Sequence, residues 1–280
     1  MALAIVPHGS PHPLDDSDGS PLWWLRRLHG VILARQNGLT KIKQYYKGEF
    51  RWKYSDKKLR EAFGTVFDSN RFGVNWMKLL IGGISERLHI DGITIGDDPD
   101  GANKAWKIWQ DNQMVARSAR VHRWSLLYGK SFVTVWPDGD DDSDSKVSVK
   151  IDHPAQAAVE VDPEDELHRI AGLRKYLDAF GYLHAQLFLP DRAYFYKSTS
   201  PVIAPGTLER ADMAWELDYE AVDDPVAGMT NPFGKVPIIQ FVNEPSADWP
   251  GEDDGVWLQE RSELFSAMPI QDALNSVFIN

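Results

Sequence analysis

No cysteine occurs anywhere in the 280 residues. That excludes disulfides, thiolate catalysis and cysteine zinc sites, and it suits a reducing compartment. No run of about 18 apolar residues exists, so no membrane span is expected; Lys78 and Gly82-Gly83 interrupt the most apolar stretch, Val74 to Ile84. The opening MALAIVPHGS lacks the basic start and long apolar core of a signal peptide. Neither an HExxH helix nor a GxSxG elbow appears, which leaves zinc-protease and serine-hydrolase chemistry without support. No internal repeat is visible. Net positive charge is missing too: the chain carries −11, which argues against tight, nonspecific duplex-DNA binding through clustered cations.

What is present can build a core. The chain is 43% hydrophobic and 11% aromatic, with 11 tryptophans, so wholesale disorder is excluded. Its charge is unevenly placed. Residues 1–90 hold 14 Lys+Arg against 8 Asp+Glu, net +6; residues 91–280 hold 16 against 33, net −17. The basic first third reads as a mixed solvated surface, or as a face for nucleic acid or an acidic neighbour.

The stretch LLYGKSFVTVW, Leu126 to Trp136, contains the Gly-Lys-Ser that closes a phosphate-binding loop. Trp124 stands where that loop needs its first glycine, and an indole fills the space that backbone N–H groups must wrap. The order of elements is also reversed. Val115, Ala119, His122 and Leu126 recur at helical spacing before the glycine, and β-favouring Phe132, Val133, Val135 and Trp136 follow it. Gly129 therefore reads as a helix stop before a strand.

Residues 1–20, rich in Pro, Gly, Ser and Asp, read as a mobile arm. Ser20-Pro21 supplies an N-cap and a first-turn proline, and Leu22, Leu25, Leu28, Ile32 and Leu39 keep a helical stripe with a stop or break at Gly38. KIKQYYKGEF, Lys41 to Phe50, reads as a helix end packing its rings, or as an aromatic-basic run that stacks on single-stranded nucleic acid. Further helices are expected over Asp56–Phe63, Asn75–Arg87, Ala102–Met114 and from there to Tyr128. Ile90, Ile93 and Ile95 read as a strand. Ser131–Trp136 and Val147–Ile151 form a hairpin around the acidic turn Pro137–Lys146. More strands are expected at Ile170–Leu177, Leu183–Leu189, Ala193–Tyr196, Trp215–Ala221 and, buried, Ile238–Val242. Trp249–Trp257 is a loop, and Glu260–Ala267 begins a helix that runs to Asn280. The fold class is α+β: a helical N-terminal part, then antiparallel strands, ending in the start of a long helix.

Candidate sites fail on their particulars. Asp138, Asp140 and Asp142 have the spacing of a calcium loop, but Ser143 and Val149 stand where glycine and a bidentate glutamate are required. His8 and His12 lie in the arm, His122 has no acidic or histidine partner four residues away, and HPAQ at His153–Gln156 reads as a turn. Carboxylate pairs arise by chance in so acidic a chain. No catalytic, cofactor-binding or metal-binding residue is assigned.

Several segments, in order, carry a resemblance: YYKGEF (Tyr45–Phe50), NWMKLLIGGISERLHIDGI (Asn75–Ile93), AWKIWQDNQMVARSARVHRWSLLYGKSFVTVW (Ala105–Trp136), NPFGKVPIIQFVNEP (Asn231–Pro245) and the closing SELFSAMPIQDALNSVFIN. From Tyr45 to the last residue the chain resembles the portal proteins of tailed double-stranded DNA phages, of the siphovirus type found in phages of actinobacteria. YGKSFV is similar to the helix-to-strand corner of that family's wing region. The resemblance implies a non-enzymatic structural subunit without cofactor, in a ring, usually dodecameric, at one vertex of the virion capsid. It implies terminase, capsid and head–tail adaptor proteins as partners, double-stranded DNA passing through the channel, and the host cytoplasm as the place of assembly. The organisation expected is an arm over 1–20, a wing-like domain over 21–258 and a stem-proximal helix from 259 to 280, with the family's stem, clip and crown lying past Asn280. DNA-binding residues stay unknown, because the family's channel segments lie outside the matched stretch. An acidic channel wall would repel DNA and let it slide. Two rivals remain from the residues alone: an α+β interaction module without catalysis, and a Mg-dependent hydrolase or nuclease built on converging carboxylates.

Overall fold

A computed structural model describes residues 12–49, 75–137, 147–165, 167–202, 213–222, 224–243 and 261–277. The expected helix at 56–63, the acidic turn at 138–146 and the loop at 249–257 lie outside them. The described elements are helices α1 (Pro21–Lys47), α2 (Met77–Ser85), α3 (Pro99–Asp111), α4 (Met114–Tyr128) and α5 (Met268–Val277), and strands β1 (Lys130–Pro137), β2 (Val147–Asp152), β3 (Ala157–Val161), β4 (Arg169–Leu177), β5 (Leu183–Phe188), β6 (Arg192–Ser198), β7 (Trp215–Leu217), β8 (Met229–Thr230) and β9 (Ile238–Val242). The α+β class expected from sequence is the class observed, with all described strand pairs whose register is resolved antiparallel. Among the described residues no helix is long and apolar enough to cross a membrane. The chain divides into two compact units, one of residues 1–36, 132–139 and 147–240, the other of residues 37–131, 140–146 and 241–280.

The first unit is built on a six-stranded sheet of order β3-β4-β5-β6-β7, with β8 on β6. Period-two alternation sends successive side chains to opposite faces. Ala158, Leu187, Tyr194 and Tyr196 enter one core, while their neighbours Ala157, Phe188, Ala193 and Phe195 enter another. The register aligns Ala158, Leu173, Leu187 and Tyr194 across four strands. On that row and its neighbours lies the first part of α1's stripe, about three turns carrying Leu22, Leu25, Leu28 and Ile32, all fully or nearly fully buried. On the opposite face Phe132, Val236 and Ile238 cover Ala157, Phe188, Ala193 and Phe195.

Gly172 of β4 belongs to that second face. A Cβ there would sit 2.7 Å from Val236 Cγ1 and 3.1 Å from Ile238 Cδ1. Gly172→Ala is therefore expected to overpack the core and lower stability by about 1–3 kcal/mol, read as a fall in urea midpoint at unchanged slope; an unchanged midpoint would mean that the covering side chains yield freely.

The second unit packs Met77 and Ile81 of α2, Leu126 and Leu127 of α4, Leu264 and Met268 into one core, flanked by Ile42, Tyr45 and Tyr46 of α1. Tyr45 donates its hydroxyl to Asp272 Oδ2 at 2.8 Å. Burial first, then that bond and the Asp272 charge, push its pKa up to about 12. A raised phenol contributes stability that is complete below the unfolded value near 10 and is lost as pH rises through the folded value. Tyr45→Phe is accordingly expected to cost about 1 kcal/mol near neutral pH, with the difference from wild type shrinking in urea titrations carried from pH 9 towards pH 12. A difference constant over that range would remove the Tyr45–Asp272 bond from the account.

Several sequence expectations are corrected. Helix α1 runs through Gly38 without a break and stops at Gly48, φ +78°; one interior glycine costs only about 1 kcal/mol against alanine. The Ile90–Ile95 segment forms no strand: alternation alone does not supply an edge to pair with. Helix α3 starts at Pro99, not Ala102, because Asp98 caps it by accepting the Gly101 N–H at 2.9 Å, and it ends before Gln113, whose φ of +54° separates it from α4. Strand β3 was not anticipated. Strand β7 ends at Leu217, where Asp218 opens a turn. Strand β9 buries Ile238 but leaves Ile239, Phe241 and Val242 exposed. The last helix begins at Met268 instead of Glu260, since Pro269 has no N–H to donate and fits only a first turn. Residues 12–20, assigned to the arm, are held: Tyr196 donates its hydroxyl to the Pro13 carbonyl at 2.8 Å, Arg26 pairs with Asp16, and Ser20 Oγ caps α1 through the Trp23 N–H.

Candidate functional site

The Gly-Lys-Ser corner is a structural joint. Gly129 closes α4 with φ +85°, a conformation that favours glycine. Its carbonyl accepts the Asn243 N–H at 2.8 Å. Ser131, which a phosphate loop would turn towards a metal, is fully buried and donates its hydroxyl back to the Val121 carbonyl of α4 at 2.9 Å. The hydroxyl that would serve a nucleotide's metal is therefore spent on the helix-to-strand turn.

Three polar clusters unite residues distant in sequence, and sequence reading found none of them. Asp152 of β2, almost wholly buried, accepts from Thr134 Oγ1 of β1 and from Arg174 Nε of β4, each at 2.7 Å. Lys175, the next residue of β4, points to the opposite face, where its ammonium lies 3.1 Å from Nδ1 of buried His29 on α1. His184 of β5 lies between two carboxylates, Nδ1 2.7 Å from Asp218 Oδ2 and Nε2 3.1 Å from Asp178 Oδ2, with its ring stacked on Tyr176 at 5.0 Å. The only sequence signal was the turn pattern Asp178–Gly181; the 34-residue step to Asp218 is set by strand register.

The His184 cluster has the composition of a general-base site but not its availability. Both ring nitrogens are engaged, which leaves no free lone pair to take a substrate proton. Burial pushes the Asp178 carboxyl up, but the His184 contact and the N–H groups of Tyr182 and Phe180 outweigh it and hold the group below its ordinary value. His122, on α4, has a pKa lowered by burial, and its Nε2 is enclosed without a hydrogen-bond partner. His153 Nδ1 accepts the Ala155 N–H at 3.0 Å, which places HPAQ in a turn as expected. Among the described residues no group of three His, Cys, Asp or Glu side chains is arranged to hold a metal ion. The carboxylates at 138–142 lie outside the described residues.

The surface is more informative. In α5, Met268, Gln271 and Asn275 are buried while Ile270, Leu274 and Val277 are exposed, so large apolar side chains stand on its outer side. Trp76 donates its backbone N–H to Gln271 Oε1 at 3.1 Å, which brings exposed Trp76 beside that helix; Leu79 of α2 and Phe265 are exposed in the same unit. Exposed apolar side chains such as Trp76 and those of α5 are of the kind that association covers.

A family profile described as phage portal protein, SPP1 Gp6-like, matches residues 33–280. The chain belongs to this family of phage portal proteins. No curated protein matches it. The match begins inside α1 and contains the Gly129 corner, all nine described strands and the apolar face of α5. The portal resemblance read from sequence is thereby the family found, and the role that comes with it is that of a structural component of the phage particle.

Proposed function

We propose that the chain is the repeating subunit of a homo-oligomeric ring at one vertex of the capsid, through which double-stranded DNA is packaged and later released towards the tail. Terminase, capsid and head–tail adaptor proteins are its partners, and it assembles in the host cytoplasm before residing in the virion. The reading rests on the portal family match over residues 33–280. The polar clusters described above suit a scaffold: each is consumed by internal partners. The exposed apolar side chains of α5, with Trp76 beside it, suit a subunit whose surfaces are covered on assembly.

Head filling tests the proposal. A phage with this gene inactivated should yield heads without DNA, and the chain supplied in trans should restore filled, tailed particles. Filled heads made in its absence would refute the reading.

A further inference from the structure

Two turns of the first unit are fixed by a single imidazole. Asp178 Oδ1 accepts the N–H groups of Phe180 and Tyr182, both at 2.8 Å, and Gly181 at φ +87° completes the β4–β5 turn. Asp218 Oδ1 accepts the Glu220 N–H at 3.2 Å in the turn after β7. The second oxygen of each carboxylate meets His184. The two turn tips carry Phe180, 83% exposed, and Tyr219, 70% exposed. The bonds fix the backbone of both turns, while the two rings stand in water and contribute little to the core of their own unit; a fixed turn leaves less backbone freedom to lose on docking. The surroundings are acidic. Residues 213–222 contain Glu216, Asp218 and Glu220 and no Lys or Arg, and Glu216 and Glu220 are exposed. Lys197 of β6, 3.9 Å from Glu220, offsets part of that charge.

The second unit presents the opposite chemistry. Residues 104–130 contain Lys104, Lys107, Arg117, Arg120, Arg123 and Lys130 against the single acid Asp111. On α4, Val115, Ala116, Ala119, Arg120 and Arg123 are exposed at spacings of three and four, with Val115 61% exposed. This is a low apolar step edged by guanidinium groups, one of them braced over the Trp124 ring at 5.8 Å.

We infer that neighbouring copies meet head to tail, the Phe180/Tyr219 tip of one copy seated on the outer face of α4 of the next, with Glu216 and Glu220 facing Arg120 and Arg123. The inference rests on the ring reading above and gives that ring a contact. A head-to-tail ring needs two different complementary surfaces on each chain, and opposite charge around an aromatic anchor supplies both register and attraction.

The test uses two full-length variants, Glu216→Arg/Glu220→Arg and Arg120→Glu/Arg123→Glu, with mass photometry and thermal unfolding on each. Each variant alone should lose at least tenfold of the ring population that wild type shows. An equimolar mixture should recover it, because alternating copies then pair arginine with glutamate at every contact, and added salt should weaken wild-type rings. Phe180→Asp and Ala119→Glu, at exposed positions, should also abolish rings and stand in for any variant that unfolds. Rings at wild-type level from any one of these folded variants, or a mixture of folded partners that stays unassembled, would overturn the contact while leaving the ring reading intact. Wild type without rings at any concentration would remove the ring reading and this contact with it.

Discussion

Asp152→Ala is expected to destabilise the protein by about 3–5 kcal/mol, the cost of leaving a buried charge without its counter-ion. Asp152 is 2% exposed and is the acceptor for both Thr134 Oγ1 and Arg174 Nε. Removing it strands a hydroxyl and a guanidinium that also donates from Nη1 to Gln186 Oε1, at 3.2 Å. The three side chains belong to β1, β2 and β4, so the bond set ties the hairpin to the six-stranded sheet within the first unit. Asp152→Asn keeps an acceptor for Thr134 and should cost less. The double variant Asp152→Ala/Arg174→Met removes both charges together and should regain part of the loss, giving a coupling of at least about 1 kcal/mol in a double-mutant cycle. Additive single effects would show that the pair is not a unit.

Leu28→Ala is expected to cost about 3–5 kcal/mol. Leu28 is wholly buried, one helical turn from Leu25 and Ile32, in the core that α1 shares with the six-stranded sheet. The substitution removes the transfer energy of the side chain and leaves a cavity, and a sheet with paired strands collapses poorly into it. The contrast is Val31, on the same helix but exposed; Val31→Ala should move the urea midpoint by less than about 0.5 kcal/mol equivalent. Equal losses at the two positions would contradict the placement of the helix face.

The α1 stripe was legible because spacings of three and four at Leu22, Leu25, Leu28 and Ile32 leave only one way to bury them against a single surface. The β1–β2 and β4–β5–β6 strands were legible because their apolar residues alternate and turn residues separate them. The Gly129 corner was legible because helical spacing gives way to β-branched and aromatic residues at one glycine. Other features depended on partners that a linear reading does not show. Ile90, Ile93 and Ile95 alternate like a strand yet have no edge to join, whereas the short run Ala157–Val161 pairs with β4. The start of α5 turned on one proline. The polar clusters were not legible: Asp152 meets Arg174, His29 meets Lys175 and His184 meets Asp218 only after the sheet has set its register. Those same contacts explain why acids and histidines that look available in sequence are already engaged in the fold.

Structural duty therefore accounts for the Gly129–Ser131 corner and the three polar clusters, and the proposed assembly would cover the apolar side chains left outside. The measurement that tests this most directly is electron microscopy of the purified full chain, with its particles classified for rotational symmetry. The account predicts closed rings with a central opening. Single subunits at every concentration, without rotational symmetry in any class, would contradict it.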